Sequence, residues 1–110
     1  MEFKTEKNGA QAIFQVSGRV DTLSSPMFEE KLLDLIDTGE INLIGDCSQL
    51  EYVSSSALRV FLVALKTIKR NNGQFSLFGL QPQIHEVFDI SGFLDLFQIY
   101  DNREKALNQT

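Results

Sequence analysis

Between Ile41 and Leu65 an apolar run, Ile41-Asn42-Leu43-Ile44, passes through Asp46-Cys47-Ser48 and a turn into three consecutive serines, Ser54-Ser55-Ser56, which open an apolar segment from Ala57 to Leu65. This order predicts strand, loop, helix. The strand is interrupted only by Asn42, so it should be buried on both faces, as in a sheet covered by helices. The helix should open near Ser55 or Ser56. Its Leu58, Val60, Phe61, Leu62, Val63, Ala64, Leu65 and Ile68 are too many apolar groups for one narrow stripe, so it is either deeply buried or partly reserved for a partner. Hydroxyls at a helix start sit beside unpaired N–H groups and the positive end of the dipole, a place for capping, anion binding or phosphorylation.

The rest of the chain supplies a sheet and its cover. Phe3-Lys4-Thr5-Glu6 and Ala12-Ile13-Phe14-Gln15-Val16 flank Asn8-Gly9, a hairpin signal, and Gly18 ends the clean alternation of the second strand. Ser24-Ser25-Pro26 starts a helix that carries Phe28, Leu32, Leu35 and Ile36 inward and stops at Gly39. After the central helix, Asn71-Asn72-Gly73 leads into the strand Phe75–Phe78. A helix after Pro82 follows, then the strand Gln98-Ile99-Tyr100 and a terminal helix from Asp101-Asn102-Arg103-Glu104 to just beyond Leu107. The expected fold is α/β: one domain, residues 1–110, with a mixed β-sheet covered by α-helices in the order β-β-α-β-α-β-α-β-α.

Composition narrows the function. Of 110 residues, 43% are hydrophobic and the net charge is -5, so the chain can bury a core of its own while its field repels nucleic acid and anionic membranes. Lys66, Lys69 and Arg70 fall where a helix C-terminus favours cations, which accounts for them without a binding patch. The single Cys47 rules out an intrachain disulfide and suits a buried thiol in a reducing cytoplasm. A charged N-terminus and no apolar run of membrane length predict neither export nor insertion.

Enzymatic readings find little support. Val53-Ser54-Ser55-Ser56-Ala57 lacks the glycines that a nucleophile elbow needs two residues either side of its serine. His85 is the single imidazole, and it lies on a predicted helix beside Ile84 and Glu86. Cys47 and His85 stand alone as metal ligands, and no glycine-rich lysine loop is present to hold phosphate, so no catalytic group, metal or cofactor is expected. One helix cap, worth about 1 kcal/mol from Ser55 or Ser56, requires one serine, not three. A phosphate on the others would add about -1.5 to -2 charges to an exposed lip. Asp21, on the loop after the second strand, would add to that negative charge if the fold brings the loops together.

Ile44-Gly45-Asp46-Cys47-Ser48-Gln49-Leu50-Glu51-Tyr52-Val53-Ser54-Ser55-Ser56-Ala57-Leu58 resembles the signature of STAS domains, the family of bacterial anti-sigma factor antagonists. Ser17-Gly18-Arg19-Val20-Asp21 and Phe88-Asp89-Ile90-Ser91-Gly92-Phe93 resemble two further family segments, in the same order and spacing. The resemblance implies a non-enzymatic switch that regulates transcription. Unphosphorylated, it would bind an anti-sigma factor serine kinase of the GHKL type and release a sigma factor; a PP2C-type phosphatase would reset it. Carried over by position, the phosphoacceptor is Ser55, with Ser56 the alternative, and the partner-binding residues are Asp21, Ser54, Ser55, Ser56, Ala57 and Leu58. Two positions depart from the family, which often has an acidic residue at Ser54 and glycine at Ala57. The expected state is a monomer or weak dimer. The alternative within the family is an unphosphorylated subunit of a lipid- or anion-transport complex or another signalling assembly.

Overall fold

A computed structural model describes residues 1–108. Its elements run β1 (Glu2–Asn8), β2 (Gln11–Val20), α1 (Ser25–Asp37), β3 (Asn42–Asp46), β4 (Leu50–Val53), α2 (Ser55–Arg70), β5 (Gln74–Phe78), α3 (Pro82–Ile90), a 3-10 turn at Phe93–Asp95, β6 (Gln98–Tyr100) and α4 (Arg103–Leu107). The mixed α/β sheet has the order β1-β2-β3-β5-β6, antiparallel only between β1 and β2, with β4 parallel to the far end of β2.

Two features differ from the expected element order, and they are linked. The segment Leu50–Val53, read as a turn, is a sixth strand, and β2 does not stop near Gly18 but continues to Val20. Gly18 takes φ +80°, and the β2–β4 register shifts between Gly18 and Arg19. Such a glycine bulge lets a strand bend without ending. Before the bend, Ala12 to Gln15 pair with Leu43 to Asp46; after it, Arg19 and Val20 pair with Tyr52 and Val53. The Gly18 N–H donates to the Gln49 carbonyl at 2.8 Å where the change begins.

Crossovers between the parallel strands all step in one direction, so right-handed connections set α1, α2 and α3 on one face. Phe14, Val16, Leu43, Phe75 and Leu77 point to that face and join Phe28, Phe61 and Phe88 in the main core. The period-2 partners Ile13, Ile44 and Phe78 point to the other face, where α4 covers them with Ala106. Phe28 on α1 meets Phe61 on α2 at 5.1 Å, and Phe61 meets Phe88 on α3 at 5.6 Å, both edge-on. Edge-to-face pairs add about 0.5–1.5 kcal/mol each beyond burial. This line of rings fixes α2 against both neighbouring helices.

The surplus of apolar groups on α2 is largely absorbed by the core. Ala57, Val60, Phe61, Ala64, Leu65 and Ile68 are buried, while Leu58, Leu62 and Val63 remain half-buried. Among the described residues, no helix is long and apolar enough to cross a membrane.

Candidate functional site

The three serines occupy three different environments, and the end of β4 decides which is which. Val53 pairs with Val20, and the next residue stays tied to β2 because the Ser54 N–H donates to the Val20 carbonyl at 2.9 Å. Ser54 is therefore still extended, at φ -80° and ψ 170°, and α2 can begin only at Ser55. The cap is Ser54, one or two residues earlier than the Ser55 or Ser56 expected. Its Oγ accepts from the Ala57 N–H at 3.2 Å, and its carbonyl accepts from the Leu58 N–H at 3.0 Å.

Ser56 faces the neighbouring helix. Its Oγ lies 2.9 Å from Ser54 Oγ and accepts from the Ser25 hydroxyl at 2.9 Å. Ser25 is 5% exposed at the first turn of α1, so this contact fastens the N-terminal ends of α1 and α2 together. Ser55 alone is exposed, and its hydroxyl makes no hydrogen bond with any other described residue. Two serines are engaged in structure; the third is open to solvent.

Asp21 arrives at the same end of the sheet through that Ser25–Ser56 contact. Its Oδ1 accepts from the Leu23 N–H at 3.1 Å, the Ser24 N–H at 2.9 Å and the Ser24 hydroxyl at 3.0 Å, and its carbonyl accepts from the Ser25 N–H at 2.9 Å. α1 begins at Ser25, one residue before the Pro26 start expected, so the cap position falls to Ser24 rather than Ser25; Ser24 makes no side-chain cap bond, because its hydroxyl is turned back to Asp21. The Ser24 N–H and then the Ser24 hydroxyl hold the Asp21 carboxyl below the ordinary aspartate value against an opposing effect of burial, with lesser help from the Leu23 N–H and the Arg19 charge. Asp21 is thus part of the turn that delivers α1, as well as a carboxylate beside the serine lip.

Of the other expected residues, Ala57 is fully buried and Ser54 is 8% exposed, so neither side chain faces outward. Leu58 packs partly on the core. Sequence reasoning did not single out Leu23 and Met27, which are 91% and 53% exposed and flank Ser25. The available signal was Leu23 standing between polar Thr22 and Ser24, where no helix or strand could bury it. Leu23 lies in the turn that leads into Ser25, and half-buried Leu58 follows Ser55 by three positions on α2.

An open depression of about 430 Å³ lies at the β6 edge by Leu80, His85 and Tyr100 and includes none of the serines. Burial pushes the Cys47 thiol up, with the Asp46 charge adding to the effect. Among the described residues, no three His, Cys, Asp or Glu side chains gather where they could hold a metal. An exposed, unengaged hydroxyl at the start of α2 is open to contact with another protein.

The STAS domain family matches residues 2–106. A candidate anti-sigma factor antagonist of Bordetella bronchiseptica, BtrV, is 34% identical over 96% of this chain and 91% of its own length. The crystal structure of a candidate anti-sigma factor antagonist from Thermotoga maritima superposes with a TM-score of 0.91 at 20% identity, covering 96% of this chain and 91% of that one. SpoIIAA of Bacillus, described as an anti-sigma factor antagonist, has been solved both unphosphorylated and phosphorylated. Its two forms superpose with TM-scores of 0.75 and 0.76 at 18% and 19% identity, covering 96% and 97% of this chain and 94% and 97% of theirs.

Proposed function

The chain belongs to the STAS domain family, and on that premise we propose that it is an anti-sigma factor antagonist switched by phosphorylation at Ser55. The unmodified protein docks its serine lip on an anti-sigma factor serine kinase, and the sigma factor is released. The kinase then moves the γ-phosphoryl group of ATP to Ser55: the Oγ–P bond forms, the bond from phosphorus to ADP breaks, and the hydroxyl proton leaves to a base or solvent. A PP2C-type phosphatase resets the switch by hydrolysis. The chain supplies no catalytic group, as expected of a regulatory protein of this family.

One observation carries this reading: Ser55 is the serine of the three whose hydroxyl is exposed and unengaged, while Ser54 and Ser56 are committed to the cap and to α1. A phosphate of about -1.5 to -2 charges at Ser55 lands one turn before half-buried Leu58 on α2 and at the end of the helix that the Asp21 loop reaches through Ser25 and Ser56. Desolvating that charge against a partner is costly, so the complex separates.

The test pairs the protein with each GHKL-type serine kinase encoded in the same genome. Mass spectrometry after incubation with ATP is expected to find phosphate on Ser55. Calorimetry is expected to show Ser55→Ala bound as tightly as the native chain and Ser55→Asp at least tenfold weaker. Phosphate on a different residue, or equal affinity of the two variants, would overturn the proposal. Stable co-purification with transporter subunits and no acceptor in any pairing would favour the transport-complex role instead.

A further inference from the structure

We infer that Arg59 is the positioning residue for a phosphate on Ser55: its guanidinium closes on the phosphoserine, so that modification both adds negative charge to the lip and withdraws a cation from the same face. This rests on the reading of Ser55 as the acceptor. Ser55 is the first residue of α2, and Arg59 follows four positions later; both are exposed. Residues four apart on a helix stand one above the other, with Cβ atoms about 5–6 Å apart, well within the reach of an arginine side chain.

Arg59 is also unengaged. It makes no hydrogen bond, ion pair or ring contact with any other described residue, whereas Arg19 lies 4.2 Å over the Tyr52 ring, Arg70 reaches the Thr67 hydroxyl and Arg103 grips the Glu6 carboxylate. The order matters as well, because an anion at the N-terminal position and a cation four residues on is the arrangement that agrees with the helix dipole. The preceding position is the neutral Ser54, so no carboxylate on the cap competes for the guanidinium. A planar guanidinium can meet two phosphate oxygens at once, and the positive end of the helix dipole favours an anion at the same first position.

The functional consequence concerns what a partner meets. Before modification the lip presents a hydroxyl and a free guanidinium; afterwards it presents a paired phosphate. Any acidic group on the kinase that met Arg59 would lose it at the same moment. Asp21, whose loop touches the lip through Ser25 and Ser56, opposes ionisation of the phosphate equally in the native chain and in any Arg59 variant, so it cancels from the comparison.

The experiment installs phosphoserine at position 55 by genetic code expansion in the full chain, without any kinase, and titrates it by phosphorus NMR. An unperturbed phosphoserine takes its second ionisation at pH about 6. Pairing with Arg59 is expected to leave the native chain about half a unit below Arg59→Gln, roughly a threefold change in the ionisation constant, with Arg59→Lys between them. Packing alone would not move that midpoint. Equal midpoints in the native chain and Arg59→Gln would overturn the pairing and leave the acceptor assignment standing. Kinase modification of Ser56 instead, seen by mass spectrometry, would overturn the acceptor assignment on which the pairing rests.

Discussion

Replacing each serine of the lip in turn should produce three unequal losses of stability. Ser54→Ala removes the acceptor for the Ala57 N–H, 3.2 Å away in a site only 8% exposed, and also the 2.9 Å contact with Ser56. Loss of a serine cap costs about 1 kcal/mol, and a lost hydroxyl pair adds about 0.5–1 kcal/mol. The total, about 1.5–2 kcal/mol, corresponds to a fall in Tm of roughly 6–12 °C for a domain near this size. Ser56→Ala loses its bonds to Ser25 and Ser54, but Ser25 keeps a contact with the Thr22 carbonyl at 3.3 Å, so about 1 kcal/mol is expected. Ser55→Ala removes an exposed, unengaged hydroxyl and should stay within about 0.5 kcal/mol of the native chain. Ser54→Asp, which restores the residue type frequent in the family, should cap as well as serine does and recover most of the loss. Urea unfolding with a common m-value, checked by calorimetric Tm, measures the series. A Ser55→Ala loss as large as that of Ser54→Ala would refute the division of labour, and with it the claim that Ser55 is the serine left free.

Two further outcomes test the core and the Asp21 turn. At Gly45 an added Cβ would lie 2.6 Å from Phe14 Cζ and 2.7 Å from Leu77 Cδ2, so Gly45→Ala should cost about 1–3 kcal/mol through overpacking; an unchanged urea midpoint would show that the rings move aside freely. The Asp21 carboxyl has a folded pKa below its ordinary 3.8, so its contribution is fully present above that value and is lost as pH falls through the lowered folded one. Asp21→Ala should therefore lower Tm at neutral pH, and its difference from the native chain should shrink on acidification; a difference independent of pH would assign the loss to something other than the carboxylate.

The reading of Asp21 shows how local and global chemistry divide. As a loop carboxylate near a serine it was legible from the order of residues, but its three bonds to the Leu23 and Ser24 groups depend on a turn that no periodicity announces. β4 was missed for a related reason: Leu50 and Val53 point inward while Glu51 and Tyr52 point out, a pattern too short to distinguish from a turn. Its identity as a strand comes from β2, which bends at Gly18 to reach it.

Sequence alone determined the elements whose chemistry is local: the hairpin at Asn8-Gly9, the helix after Pro26 with its apolar spacing, the buried strand before Cys47, and a helix opening within the serine run. Periodicity, turn residues and caps act over a few neighbours, so they can be read in one dimension. The duties of the three serines were settled only in three dimensions. Ser54 is held extended by the Val20 carbonyl, and Ser56 is claimed by Ser25 across the gap between two helices. Both partners are some thirty residues away along the chain, and an interaction set by such distant groups has no local signature; it exists only once the sheet has brought β2, β4 and α1 together.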